Sequence, residues 1–188
     1  NGYLLDQFIQ DGTNKRDDAY GGTIENRIRL LKEVVEAVVG VMGAGRVGIR
    51  LSPLGQYNDM ADSDPEATFG AVIAMLNHYD LAYMHTVERF PGKESSKEEL
   101  SLLERLAAQF TNGYISCGGF GKPDGEAYIE TEKADAIAYG RPFIANPDLP
   151  ERFRQDAALN EPDPATFYGG DERGYTDYPT LDQQRNAA

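Results

Sequence analysis

Apolar residues recur along this chain in two rhythms. Ile24, Ile28, Leu31, Val35, Val38 and Met42 fall three, four or seven residues apart, the spacing of one face of a helix. Phe69, Val72, Ile73 and Leu76 make a second such stripe, and Leu100, Leu103, Leu106 and Phe110 a third. Four short runs differ in kind. They are RVGIRLSP at Arg46–Pro53, LAYMHTVE at Leu81–Glu88, GYISCGG at Gly113–Gly119 and DAIAYGRP at Asp135–Pro142. Each is rich in β-branched or aromatic residues and closes on Gly, Pro or a charge, which predicts buried strands. Ser63-Asp64-Pro65-Glu66 and Ser96-Lys97-Glu98-Glu99 both set a Ser three residues before a Glu. That spacing predicts a Ser-capped helix start, with a first-turn Pro in the former.

Helices and strands thus alternate strictly, which implies parallel strands joined by right-handed crossovers. Either a doubly wound sheet or part of a (β/α)8 barrel fits, since four strands are too few to close a barrel of about 250 residues. The βα units run over residues 46–155. After Phe153 the chain turns polar, with Pro162, Pro164, Gly169 and Gly170. Residues 156–188 read as an ordered tail packed on the body rather than another unit.

Composition narrows the classes. The 188 residues carry a formal charge of −13, which opposes binding to nucleic acid or anionic lipid. No run of Lys and Arg provides a local exception. Hydrophobic residues make up 40%, enough for a real core. No apolar stretch reaches the ~18 residues of a membrane span, and no signal-peptide pattern stands at the start. The single cysteine, Cys117, leaves no internal disulfide and no Cys-rich zinc site. The expectation is a cytoplasmic α/β protein with no metal. The chain opens Asn1-Gly2-Tyr3 without an initiator Met, as though starting in mid-element; a fragment, a cleaved chain or a split protein all fit.

In parallel α/β folds function collects at the C-terminal ends of strands. The first run places Arg50 there, among apolar neighbours. A buried Arg needs an anion, either a ligand's or that of an internal salt bridge. The third run ends in Gly118-Gly119 and the fourth in Gly140-Arg141. Consecutive glycines admit a phosphate to backbone N–H groups, and an Arg can clamp its oxygens; such glycines also simply make turns. Tyr3, close behind Asn1, is a potential proton donor. His78 and His85 have no metal-like partners nearby and read as structural.

Six ordered segments carry a specific resemblance. NGYLLDQF at Asn1–Phe8, AYGGTIENR at Ala19–Arg27, GIRLSP at Gly48–Pro53, GRPFIANPDLPERF at Gly140–Phe153, TFYGG at Thr166–Gly170 and GYTDYP at Gly174–Pro179 resemble the C-terminal half of an Old Yellow Enzyme family flavin ene-reductase. The resemblance implies a (β/α)8 barrel carrying FMN and reduced by NADPH or NADH. This chain would supply roughly strands five to eight and the tail. The reaction implied is hydride transfer to the β-carbon of an α,β-unsaturated carbonyl or nitro compound.

By position, Asn1 resembles the second member of the pair that hydrogen-bonds the substrate oxygen, and Tyr3 the residue that protonates the α-carbon. Arg50 resembles the Arg beside the flavin N1 and C2 carbonyl. Gly118, Gly119, Gly140 and Arg141 match the phosphate loops, and Tyr175 a substrate-facing tyrosine. Strands one to four are missing from the resemblance, and with them the first His of the pair and further flavin contacts. The stretch Arg89-Phe90-Pro91-Gly92-Lys93 departs from the more usual Glu-Pro-Arg continuation at the substrate mouth.

The implied partners are a small enone or nitro substrate and an N-terminal half-barrel segment or second chain. A lone half-barrel would instead expose two sheet edges and self-associate as a homo-oligomer without activity. An unrelated aldolase or isomerase barrel would need a Lys or Glu at a strand end, and the runs offer only Glu88.

Overall fold

A computed structural model describes residues 1–90 and 95–187. The chain divides into two compact units, Asn1–Ala138 and Tyr139–Ala188. In the first unit the order is α1 (Leu4–Ile9), α2 (Ile24–Arg27), α3 (Arg29–Met42), β1 (Gly48–Leu51), α4 (Pro65–Leu76), β2 (Tyr83–Val87), α5 (Lys97–Ala107), β3 (Gly113–Cys117), α6 (Lys122–Glu130) and β4 (Ala136–Ala138). Each strand is shorter than its sequence run but lies inside it. All three pairings are parallel and the order is β1-β2-β3-β4. A doubly wound sheet reverses its strand order at a switch point; this sheet never does. Its strands follow one another in chain order, as successive strands of a barrel do.

The sheet buries one face. Leu51, Met84 and Tyr114 pack with Leu31, Val35, Phe69, Val72, Ile73, Leu76, Leu106 and Phe110 in one apolar cluster. Strand side chains alternate between faces, so Arg50, Tyr83, His85, Val87, Ile115 and Cys117 share the opposite, more open face. Two expectations are corrected by this. Arg50 is not buried in a central strand; it is exposed, and β1 lies at an edge of the sheet. Val38 and Met42 of the first stripe are also exposed, while Val39 between them packs against the core.

The caps split in the same way. Ser96 starts α5 with a full capping box to Glu99. At α4 the cap is Asp64, which accepts from the Ala67 amide, while the Ser63 hydroxyl donates to Asp11. Asp64 stands directly before Pro65, and Pro fits the first helical turn, so the cap falls one residue later than the Ser-x-x-Glu spacing suggests. Arg27 is buried and ties the N-terminal helices down. It donates to Ile9 O at 2.8 Å, Gly22 O at 3.0 Å and Thr68 Oγ1 at 2.9 Å, and faces Asp62.

The second unit contains α7 (Arg141–Ala145), α8 (Leu149–Arg154) and α9 (Leu181–Ala187), with a 3-10 turn at Pro164–Thr166. Its centre is Arg152, 1% exposed. Arg152 pairs with Asp148 at 2.8 Å and donates to Ala158 O at 2.6 Å, Pro179 O at 3.0 Å and Gln184 Oε1 at 3.1 Å. The tail therefore belongs with the helices that follow β4, held by polar bonds rather than by a βα unit.

Candidate functional site

The open face of the sheet gathers several expected residues at its C-terminal end. Arg50 extends from β1 and donates through Nη1 to Asn1 Oδ1 at 3.3 Å. Its Nη2 reaches Cys117 Sγ on β3 at 3.9 Å. Both contacts are long, so most donors of the guanidinium remain available to an anion or carbonyl.

Asn1 and Tyr3 are fixed through the residue between them. The Gly2 amide donates to the buried Asp6 carboxylate at 2.7 Å, and Asn58 Nδ2 donates to Gly2 O at 2.6 Å. Asn58 itself sits at φ 56, a left-handed conformation that Asn tolerates better than most residues. Tyr3 caps the start of α1 with its backbone carbonyl, and its side chain is 73% exposed.

Beyond Cys117 the chain turns through Gly118 at φ 143 and Gly119 at φ 68. A Cβ on Gly118 would lie 2.5 Å from the Arg89 amide nitrogen, so the β2 and β3 ends approach through backbone there. At Gly119 a Cβ would meet nothing within 4 Å, leaving its backbone open to a ligand. Gly140, Arg141 and Tyr175 lie in the second unit. Gly140 precedes α7, which begins at Arg141; space around Gly140 is also open, and Tyr175 is exposed.

His85 stays in its strand, in register with Arg50. Burial, and then the Arg50 charge, hold its pKa below the ordinary value, so the ring is neutral near pH 7. His78 lies in a 3-10 turn with Nδ1 2.8 Å from Ala74 O. Glu88 is buried on the helix side and accepts from the hydroxyls of Tyr114 at 2.8 Å and Tyr128 at 3.2 Å. With both oxygens bonded to phenols and away from the Arg50 face, Glu88 is not an aldolase- or isomerase-type base. A cavity of about 690 Å³, lined in part by Glu88, Tyr114 and Tyr128, lies on that helix side and contains none of the expected site residues. Pro91, Gly92 and Lys93, expected to border the substrate mouth, fall outside the described residues.

Residues 1–160 match the NADH:flavin oxidoreductase / NADH oxidase family, whose profile is that of FMN-dependent oxidoreductases. The chain belongs to this family, that of the Old Yellow Enzyme. It is 46% identical over 185 residues to 12-oxophytodienoate reductase 1 of Oryza sativa subsp. japonica, covering 97% of this chain and 49% of the relative. Among solved structures, morphinone reductase superposes with a TM-score of 0.90 at 49% identity, over 96% of this chain and 48% of that one. An old yellow enzyme homologue from Zymomonas mobilis gives 0.90 at 40%, over 96% and 51%. The chain thus spans about half the length of these family members, and its parallel sheet corresponds to part of their barrel.

FMN, the family's cofactor, suits the residues present. The open backbone at Gly119 and the lightly bonded Arg50 guanidinium offer what a phosphate and an electron-rich ring edge require. No helix among the described residues is long and apolar enough to cross a membrane. Among them, no group of three or more His, Cys, Asp and Glu side chains could hold a metal ion.

Asp6 and Asn58 hold Gly2, and Cys117 contacts Arg50, three contacts of the candidate residues that sequence reasoning did not single out. Only Cys117 had a signal, its place directly before Gly118-Gly119. Asp6 and Asn58 act through backbone bonds that no spacing announces.

Proposed function

We propose that this chain supplies half of an FMN-dependent ene-reductase site. The site would use NADH or NADPH to reduce the activated C=C bond of an α,β-unsaturated carbonyl or nitro compound. The observation that carries the reading is the placement of Arg50, Asn1 and Cys117-Gly118 together at one end of the open sheet face, in a chain of this flavin family. When bound, FMN supplies the hydride chemistry. Arg50 would hold the ring's polar edge, and Gly118, Gly119, Gly140 and Arg141 the phosphate. Asn1 would donate to the substrate oxygen where negative charge develops. Tyr3 would deliver the α-carbon proton, and Tyr175 would face the substrate. The missing half of the site would come from an N-terminal barrel segment or a second chain.

A second reading is an inert, self-associating half-barrel. The exposed Val38, Val41 and Met42 and the edge position of β1 favour it. One experiment separates the two. The purified chain is mixed with FMN, alone and with an N-terminal half from a relative, and its visible spectrum, mass and enone-dependent NAD(P)H oxidation are recorded. Weak FMN binding alone, with tight binding and turnover on mixing, supports the half-site. Large oligomers that take up neither FMN nor the added half would overturn it.

A further inference from the structure

Arg50 can reach Cys117 only by crossing a strand. Arg50 is on β1, Cys117 is on β3, and β2 lies between them. The β2 residue in register with Arg50 is His85, and Cys117 is in register with Val87. All four side chains share one face, so the Arg50 side chain runs over the His85–Val87 stretch of β2. On that stretch, His85 Nε2 is sealed from solvent and has no hydrogen-bond partner among the described residues. A buried polar atom without a partner is costly, and its retention here points to a role for the ring.

We propose that His85 is a positioning residue for Arg50: its ring is the surface across which the Arg50 side chain is laid, so that the guanidinium reaches from β1 to the end of β3. Arg50 needs such a support because its polar contacts, at 3.3 and 3.9 Å, are too long to fix it. The ring must also be uncharged, since an imidazolium would repel the guanidinium. Its depressed pKa, caused first by burial and then by Arg50, meets that condition at neutral pH. Among the described residues, the other titratable side chains that the strands place on this face are Tyr83 of β2 and Cys117 of β3, so no carboxylate of the sheet shares the face with His85. For its consequence the inference rests on the flavin role proposed for Arg50. The packing of Arg50 on His85 does not.

The test has two arms. In the first, the 188-residue chain without flavin is followed by NMR across pH. Its two histidines give two ring signals, and that of His78, in the 3-10 turn after α4, serves as the reference. Replacing Arg50 by Met keeps an apolar stem and removes the charge. The His85 midpoint should move up in Arg50→Met; an unmoved midpoint would mean that Arg50 does not lie on the ring and would overturn the proposal. In the second arm, the reduction potential of the FMN-loaded, assembled protein is measured. His85→Ala should shift it negative in the same direction as Arg50→Met, with the double variant going no further. His85→Phe, which restores a flat neutral ring, should return it towards the starting value. Additive shifts, or a His85→Ala potential equal to the parent's with only stability lost, would sink the positioning role. Failure to bind FMN would defeat the proposed function and leave the NMR arm to decide this inference.

Discussion

The carboxylate of Asp6 accepts the backbone N–H of Gly2 at 2.7 Å, and that bond lies between the two residues assigned to the substrate, Asn1 and Tyr3. Asp6 also accepts from Gln10 Nε2 at 2.8 Å, so one buried side chain locks the chain's first turn to α1. Replacing Asp6 by Ala strands both donors. Urea unfolding should show a loss of about 1–3 kcal/mol, the usual cost of buried unpaired groups. In the assembled enzyme, substrate reduction should fall more than flavin reduction, because Asn1 and Tyr3 lose their anchor. Equal effects on the two steps would place Asp6 in general stability alone.

Tyr3 gives a sharper separation of steps. Its ring is largely exposed, so Tyr3→Phe should leave the melting temperature unchanged. Flavin reduction by NAD(P)H needs no proton from Tyr3 and should keep its rate. Reoxidation by an enone should slow roughly 10²–10⁴-fold, the contribution of a positioned acid. Nitroalkenes should suffer less, since a nitronate can leave and be protonated by water. Stopped-flow traces of the two half-reactions decide it, and parallel slowing of both would contradict the proton-donor role.

The tyrosines around Glu88 should resist alkali. Burial, and then the Glu88 charge, push the Tyr128 phenol up from 10.0 to about 12, and Tyr114 is raised further by the same causes. A phenol whose folded pKa is raised stabilises the fold at pH below its unfolded value. That contribution is present below about pH 10 and is lost as pH rises through about 12. Phenolate absorbance during a base titration should therefore show Tyr114 and Tyr128 ionising late, together with unfolding. In Glu88→Gln both should ionise earlier.

Arg152 should be the weak point of the second unit. Its removal leaves Asp148 without its ion pair and strips the Arg152 donors from Ala158 O and Gln184 Oε1, while Pro179 O keeps Asn160 Nδ2. Arg152→Ala should cost about 3–5 kcal/mol, typical of breaking a buried charge pair, and limited proteolysis should then cut within residues 155–180. Acid should act in the same direction. Burial works to raise the Asp148 carboxyl, but the Leu181 amide and Arg152 outweigh it and hold it below the usual range. This stabilisation is present above the unfolded pKa and fades as pH falls through the lower, folded value. An unchanged cleavage pattern in the variant would count against the hub role.

The sequence by itself determined the family, the parallel sense of the strands and the places of the four strands and of the three longest helices. Local chemistry sufficed for these. The Arg46–Pro53 and Gly113–Gly119 runs read as strands because β-branched and aromatic residues end abruptly at Gly or Pro. Ser96 capped its helix because both partners of a capping box lie within four residues. Tertiary structure decided what depends on neighbours distant in sequence. Arg50 read as buried because its flanking residues are apolar, yet alternation turns it to the open face, where Asn1 and Cys117, 49 and 67 residues away, become its partners. Val38 and Met42 continue a flawless helical stripe, but periodicity names a face and not what covers it. The support of Asn1 by Asp6 and Asn58, and the passage of Arg50 over His85, arise from backbone bonds and strand register, which no single segment of sequence contains.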